Sequence, residues 1–228
     1  MSFERHLTVQ RTARYYVSGG PPGDDVEGLA ELWIVCHGYG QLAGPFLESF
    51  ASLATPTRRI VAPEALSRFY LDPVSATASE RRVGATWMTR EDRDHDIADQ
   101  VAYLDALYGR LVPAASAPRV RLRVLGFSQG VATVARWLAF GRVRADELIL
   151  WAGAFPPEVE LGSFAERLNG APVVLVVGDR DGLASWAGAD AHLHRFTAAG
   201  IDARLVSFEG GHRLDGATLA ALAAVSVA

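Results

Sequence analysis

The residues Gly126-Phe127-Ser128-Gln129-Gly130 are the part of this chain best suited to covalent chemistry. A serine hydroxyl is a weak nucleophile at neutral pH and needs a base beside it. The pattern G-x-S-x-G is that of a strand reversing into a helix within a few residues. The reversal lifts the serine to the tip of a strained turn and aims the first N–H groups of the helix at the same spot. Residues 119–125 become apolar in their second half, as a strand entering a buried sheet would, and residues 131–139 are rich in alanine and apolar side chains, as in a buried helix. Alone, the pattern is short enough to arise as a glycine-bounded turn with a solvated serine. The strand before it and the helix after it give it a catalytic meaning.

The other groups that such chemistry needs follow in a set order: nucleophile, acid, histidine, the last two after later strands. Val173 to Val177 is a run of β-formers, followed by Gly178-Asp179-Arg180-Asp181. The final strand-like stretch, Ala203 to Phe208, leads into Glu209-Gly210-Gly211-His212. Ser128, Asp181 and His212 are therefore the expected catalytic residues, with Asp179 the competing carboxylate. Histidine would take the serine proton and return it to the leaving group, while the carboxylate would fix the imidazole tautomer. A tetrahedral oxyanion needs preorganised donors. The N–H of Gln129, just after the nucleophile, is one candidate, and that of Tyr39, in the loop His37-Gly38-Tyr39-Gly40, is the other.

To position these groups the chain must alternate strands and helices. Residues 31–36, 59–63, 147–152 and 172–177 are short apolar runs of the kind found in central strands buried on both faces. Helices are expected over about 42–53, after a capping-box spacing at Thr89 and Asp92, over 185–199 and over 218–227. Residues 6–18 read as one or two edge strands, 64–88 as an irregular segment, and 113–118 as a linker. The expected architecture is a single α/β domain over residues 1–228, with a mainly parallel sheet covered by helices on both faces. The segment between the strands ending at Ala152 and starting at Pro172 is too short for a large lid.

Composition narrows the function classes. Half of the 228 residues are apolar, enough for a sizeable core. The net charge is −4 with no basic block, which argues against nucleic acid as a partner. The chain has no lysine, which excludes Schiff-base chemistry. Cys36 is the one cysteine, so no internal disulfide can form. His192 and His194 are two apart on an expected helix and face different ways, so no metal site and no cofactor is expected. No apolar run reaches membrane-spanning length and the N-terminus lacks a signal-peptide pattern. A cytoplasmic protein without stable membrane insertion is expected, its oligomeric state left open.

With His37-Gly38-Tyr39-Gly40, Gly126-Phe127-Ser128-Gln129-Gly130, Gly178-Asp179-Arg180-Asp181 and Gly210-Gly211-His212 in place, the chain resembles the phospholipase/carboxylesterase family of serine α/β-hydrolases, which includes acyl-protein thioesterases. The resemblance spans Trp33 to His212, and in that family the last Asp of the Gly-x-x-Asp element is the acid, which favours Asp181. The chain departs from the thioesterase-like members at Gln41, at Val131 and over Thr86-Trp87-Met88-Thr89-Arg90. The resemblance thus implies hydrolysis of small-molecule carboxylic esters of short to medium acyl chain, through an acyl-enzyme, more strongly than any named substrate. A lysophospholipase or acyl thioesterase is the alternative within the family, and a non-catalytic hydrolase-fold binding protein the alternative outside it. Phe69, Tyr70, Trp87 and Met88, in the segment before the serine, are the expected apolar wall for the substrate.

Overall fold

A computed structural model describes residues 2–23, 26, 28–73, 81–112 and 120–225. The central sheet is built from β1 (Tyr15–Gly19), β2 (Glu31–Cys36), β3 (Arg58–Pro63), β6 (Arg121–Phe127), β7 (Glu147–Trp151), β8 (Val173–Gly178) and β9 (Ala203–Phe208). Its strand order is β1-β3-β2-β6-β7-β8-β9, with β1 antiparallel to β3 and the other neighbours parallel. A separate antiparallel hairpin is formed by β4 (Ser67–Tyr70) and β5 (Val83–Thr86).

The alternation of side chains along each strand divides the core into two layers. Leu32, Ile34, Val124, Leu148, Leu150, Val173 and Leu175 point to one face. There they meet Leu104 and Leu107 of α2 (Arg93–Leu111), Val134 and Trp137 of α3 (Gln129–Phe140), Phe164 of α4 (Leu161–Leu168) and Phe196 of α5 (Trp186–Ala198). Trp33, Val35, Ile60, Leu125, Ile149, Trp151 and Val174 point the other way, against Phe46 and Leu47 of α1 (Ala43–Glu48) and Leu219 and Leu222 of α6 (Gly216–Ala224). Both faces are covered, which is why β2, β7 and β8 read as short apolar runs. This is the α/β-hydrolase architecture expected from the sequence, and the link from β7 to β8 holds only the short helix α4. Among the described residues no helix is long and apolar enough to cross a membrane.

Several local expectations are corrected. Residues 6–14 form no strand; only Tyr15–Gly19 pairs, along the edge strand β3. The segment expected to be irregular contains the β4–β5 hairpin, which docks on the loop after β2 through Gly40 N–H to Ala85 O (2.9 Å) and Ala85 N–H to Gln41 O (3.2 Å). The hairpin escaped a periodicity reading because each of its strands has only four residues. Helix α2 starts later than the capping-box spacing suggests. Its N-cap is Asp92, in a left-handed conformation with no side-chain cap, because the Asp92 carboxylate turns instead to His95 Nδ1 at 2.6 Å. The expected helix over 42–53 is α1 followed by a 3-10 turn at Ala51–Leu53. The linker over 113–118, residues 74–80 of the segment before the serine, and the last residues of the closing helix lie outside the described residues.

One buried charge ties the N-terminal part of the molecule together. Glu64, just past β3, has a fully buried side chain. Its carboxylate accepts from Arg14 Nε at 2.6 Å, Arg68 Nη1 at 3.0 Å and the N–H of Ala43 at 3.3 Å. Burial works against the charge, but the two guanidinium groups and the amide outweigh it and hold the carboxyl below its usual range. A depressed folded-state pKa gives stability that is present above the unfolded value, about 4.3 for glutamate, and lost as pH falls through the folded one. Glu64→Gln is expected to lower stability by about 2 kcal/mol at pH 7. In urea titrations the gap from the wild-type protein should close as the pH is taken below about 4. A gap independent of pH would show that packing, not charge, is what the glutamate contributes.

Candidate active site

Strand β6 and helix α3 cross so closely that side chains are forbidden on either side of Ser128. A Cβ on Gly126 would stand 2.3 Å from the carbonyl oxygen of Gly130, and one on Gly130 would stand 2.2 Å from that of Cys36. Ser128 is driven to φ 54, ψ −116, a conformation that L-residues rarely adopt. Its N–H is held by Trp151 O at 2.8 Å and its carbonyl accepts from Val131 N–H at 3.0 Å. The hydroxyl is left at the C-terminal edge of the sheet.

Two later strand ends deliver the other groups. His212 Nε2 lies 2.9 Å from Ser128 Oγ, and His212 Nδ1 lies 2.9 Å from Asp181 Oδ2. Asp181 has no exposed side-chain surface. Its other oxygen accepts from the N–H groups of Leu183 and Ala184, both at 2.8 Å. Burial alone would raise its pKa. The Ala184 and Leu183 amides and the imidazole reverse that and hold the carboxyl below its ordinary value. Asp179 does something different: its side chain is half exposed, and Oδ1 accepts from Gly210 N–H at 2.8 Å. That bond, with Arg180 N–H to Gly210 O at 2.9 Å and Trp151 Nε1–H to Arg213 O at 3.0 Å, pins the loop bearing His212. The structure therefore brings Ser128, His212 and Asp181 into one hydrogen-bonded line and leaves Asp179 outside it.

The loop after β2 is fixed by a buried histidine. His37 Nδ1–H donates to Gly38 O at 2.8 Å, and Nε2 accepts from Ala65 N–H at 3.1 Å. Those two bonds require the neutral ring, and burial lowers its pKa accordingly. Gly38 N–H donates to Gln41 Oε1 at 2.8 Å. Among the described residues the N–H groups of Tyr39 and Gln129 have no acceptor; Gln129 follows Ser128 directly, and Gly38, before Tyr39, packs against the Ser128 side chain.

The four residues expected to wall the substrate have other surroundings. Trp87 is buried, and its Nε1–H donates to His37 O at 2.9 Å, so it props the loop after β2 from beneath. Met88 sits beside Arg136, whose Nη1 lies 3.1 Å from its sulfur. Tyr70 is half exposed under the Arg81 guanidinium. Phe69 packs on the Tyr39 ring with centroids 5.2 Å apart. None of the four lines the cavity of about 410 Å³ that opens beside Ser128 and His212. Ala132, Leu150, Leu175, Ala189 and His192 line it instead.

Sequence reasoning also missed the side chain of Gln129. Its amide donates to Thr86 Oγ1 and Met88 O, and its Oε1 accepts from Trp87 N–H, at 2.9 to 3.1 Å. It is a bracket that clamps residues 86–88 to the start of α3, a role no spacing could signal. Among the described residues one group could accept a metal ion, His6, Asp92 and His95; it is exposed and shares no residue with the Ser128 cavity.

No family model matches the sequence, and no curated protein matches it significantly. Solved structures do match. Acyl-protein thioesterase 2 of Zea mays is 17% identical, with 93% of this chain and 96% of that one covered and a TM-score of 0.65. The Bacillus cereus carboxylesterase is 13% identical, with 92% of each chain covered and a TM-score of 0.64. A phospholipase/carboxylesterase of Dyadobacter fermentans is 15% identical, with 96% and 98% covered and a TM-score of 0.60. The chain has the α/β-hydrolase fold. These neighbours bear the names of the family that its four glycine-containing elements resemble. At such identities the likeness concerns the fold.

The placement of Trp87 makes a prediction. Trp87→Phe keeps most of the packing but removes the bond to His37 O. It should cost about 1 kcal/mol, seen as a fall in Tm. Any change in hydrolysis should be equal for short and long acyl esters. A selective loss on long esters alone would put Trp87 in contact with the acyl chain.

Proposed function

We propose that the protein is a serine hydrolase that cleaves carboxylic esters of short to medium acyl chain through an acyl-enzyme. The observation that carries this reading is the unbroken line Ser128 Oγ, His212 Nε2, His212 Nδ1, Asp181 Oδ2, both hydrogen-bonded gaps being 2.9 Å. On this reading the neutral imidazole takes the hydroxyl proton as Oγ attacks the ester carbonyl. The N–H groups of Gln129 and Tyr39 receive the oxyanion. The imidazolium, stabilised by the buried carboxylate, protonates the departing alkoxide, and the serine is left acylated. A water molecule activated by the same imidazole then releases the acid. The chemistry is carried by the chain's own residues, with no cofactor assigned to it, and the substrate is a small-molecule ester.

An acyl thioester is the second reading, supported by the name of the maize neighbour. The same nucleophile and oxyanion donors would serve it. A thiolate leaves without the proton that an alkoxide needs, so thioester cleavage should depend less on general-acid catalysis by His212.

The test begins with covalent labelling. A fluorophosphonate should modify Ser128, and Ser128→Ala should abolish the label; a folded protein labelled elsewhere or not at all would favour a non-catalytic binding protein. With a p-nitrophenyl ester, Asp181→Asn should reduce kcat by about 10⁴-fold, because the imidazole loses the group that fixes its tautomer. Asp179→Asn should reduce it less than about tenfold, the loss of one loop hydrogen bond. The reverse ranking would make Asp179 the acid.

A further inference from the structure

Residues 2–14 precede the sheet and form neither helix nor strand. Arg14, at the end of this segment, is held by Glu64, and its carbonyl accepts from the Tyr103 hydroxyl at 3.1 Å. Before Arg14 the chain is tied down at one point. Among the described residues, every polar or ring contact that residues 2–13 make with the rest of the fold runs through His6.

His6 reaches the start of α2. Its imidazole stacks on that of His95, with ring centroids 3.9 Å apart. Its Nε2 lies 3.3 Å from Asp92 Oδ1, the same oxygen that His95 Nδ1 meets at 2.6 Å. The three ligand atoms all lie within 4.8 Å of one another. Glu4 brings a second carboxylate, with Oε1 3.1 Å from His6 Nε2. These groups come from two segments far apart in the chain, so their convergence is not the ordinary adjacency of residues on one helix face.

Hydrogen bonds alone serve the cluster poorly. One N–H on His6 Nε2 can point at Glu4 or at Asp92, and not well at both. A cation among them would serve all. Ligands about 2.0–2.1 Å from a tetrahedral zinc ion stand roughly 3.3 Å apart. The His6–Asp92 and Glu4–His6 separations are already near that value, and His95, an exposed side chain, has only to swing back from Asp92 by less than about 1 Å. Two neutral imidazoles and two carboxylates carry a charge that a divalent ion cancels. Imidazole nitrogen suits zinc, whereas magnesium and calcium take oxygen.

We propose that His6, Asp92 and His95, with Glu4 in reach as a fourth ligand, bind a zinc ion that fastens the N-terminal segment to α2. The ion is structural: it cross-links residues remote in sequence, and its ligands share no residue with the cavity beside Ser128. His6, Asp92 and His95 instead line a cavity of about 600 Å³, together with Leu7 and Val9 of the segment and Tyr103 of α2. The proposal does not depend on Ser128 being the nucleophile.

The experiment uses the full chain, untagged and stripped with a chelator, and titrates it with zinc chloride by calorimetry at about pH 8, where protons compete little for imidazole nitrogen. His95 needs that margin, because its hydrogen bond to Asp92 raises its pKa. One zinc ion should bind per chain with a Kd below about 10 µM, and magnesium should not bind. His6→Ala and His95→Ala should each weaken zinc binding at least about fivefold, and His194→Ala, on α5, should not. Zinc should also slow tryptic cleavage after Arg5 and Arg11 in the wild-type protein but not in His6→Ala. The substituted side chains are exposed, and a melting curve without zinc checks that each variant folds. No zinc binding to the wild-type protein, or a smaller change than that in either His6→Ala or His95→Ala, overturns the proposal. Binding lost in His95→Ala alone, with tryptic cleavage indifferent to zinc, overturns it too, since the ion would then sit on the helix without holding the segment.

Discussion

The contact of backbone on backbone where α3 crosses β6 and β2 is the constraint from which the rest of the site follows. Carbonyl oxygens stand where the β-carbons of residues 126 and 130 would be, and a Cβ on Gly153 would meet Ser128 O at 2.3 Å. Glycine at these points lets the helix begin directly above the strand ends. The chain can make that reversal only by putting Ser128 in a sparsely populated backbone region, at a cost of about 1–3 kcal/mol. The surroundings over-determine the strain: Trp151 O holds the serine N–H from β7, and Cys36 and Gly130 are in contact across the crossing. The exposed hydroxyl and the free N–H of Gln129 are both products of this one reversal. A relaxed turn would supply neither.

The two acid-loop carboxylates show how burial assigns roles to chemically identical groups. Asp181 is fully enclosed and receives two backbone N–H groups on one oxygen, which leaves the other for His212. Its negative charge is maintained by neighbours rather than by water, so it is fixed in place. Asp179, two residues earlier, keeps contact with solvent and spends its hydrogen bond on Gly210. Gly178 makes this possible, because a Cβ there would stand 2.4 Å from Gly210 O. The loops after β8 and β9 thus touch through their backbones, as α3 and β6 do, and Asp181 and His212 are held by the same device as Ser128.

Much of this was legible in the sequence, for a physical reason. Strands buried on both faces are largely apolar, so β2, β7 and β8 announced themselves, and a close backbone approach must use glycine, so Gly126 and Gly130 fitted the turn around Ser128. Ser128, Asp181 and His212 followed from their order after successive strands, with the resemblance favouring Asp181 over Asp179. The lining of the cavity beside Ser128 was not legible. Aromatic residues in the segment before the serine looked like a pocket because they are large and apolar, but that description equally fits a prop, and Trp87 is one. The cavity beside Ser128 depends on what is small: Ala132, Gly188 and Ala189 enclose space by lacking bulk, and an absence of bulk has no signature until the opposite walls are known. The charge networks of Glu64 and the amide bracket of Gln129 were hidden for a related reason, since their partners lie far away in the chain.

The lining of that cavity also bears on how a chain with so short a link between β7 and β8 can select a substrate. Enzymes of this architecture with an inserted lid can enclose a long apolar chain between lid and body. Here the link holds only α4, and α4 packs into the core through Phe164 and Leu168 rather than over the serine. On the proposed reading, apolar enclosure comes from the body itself, in the gap between α3 and α5. That gap is bounded by Leu150 and Leu175 on the sheet, and along α5 by His192 and the buried Phe196. A cavity of about 410 Å³ lies towards the small end for ligand sites, and each methylene it buries adds about 0.8 kcal/mol only while there is wall to receive it. On the proposed reading, chain length is limited by the apolar wall that the body alone provides.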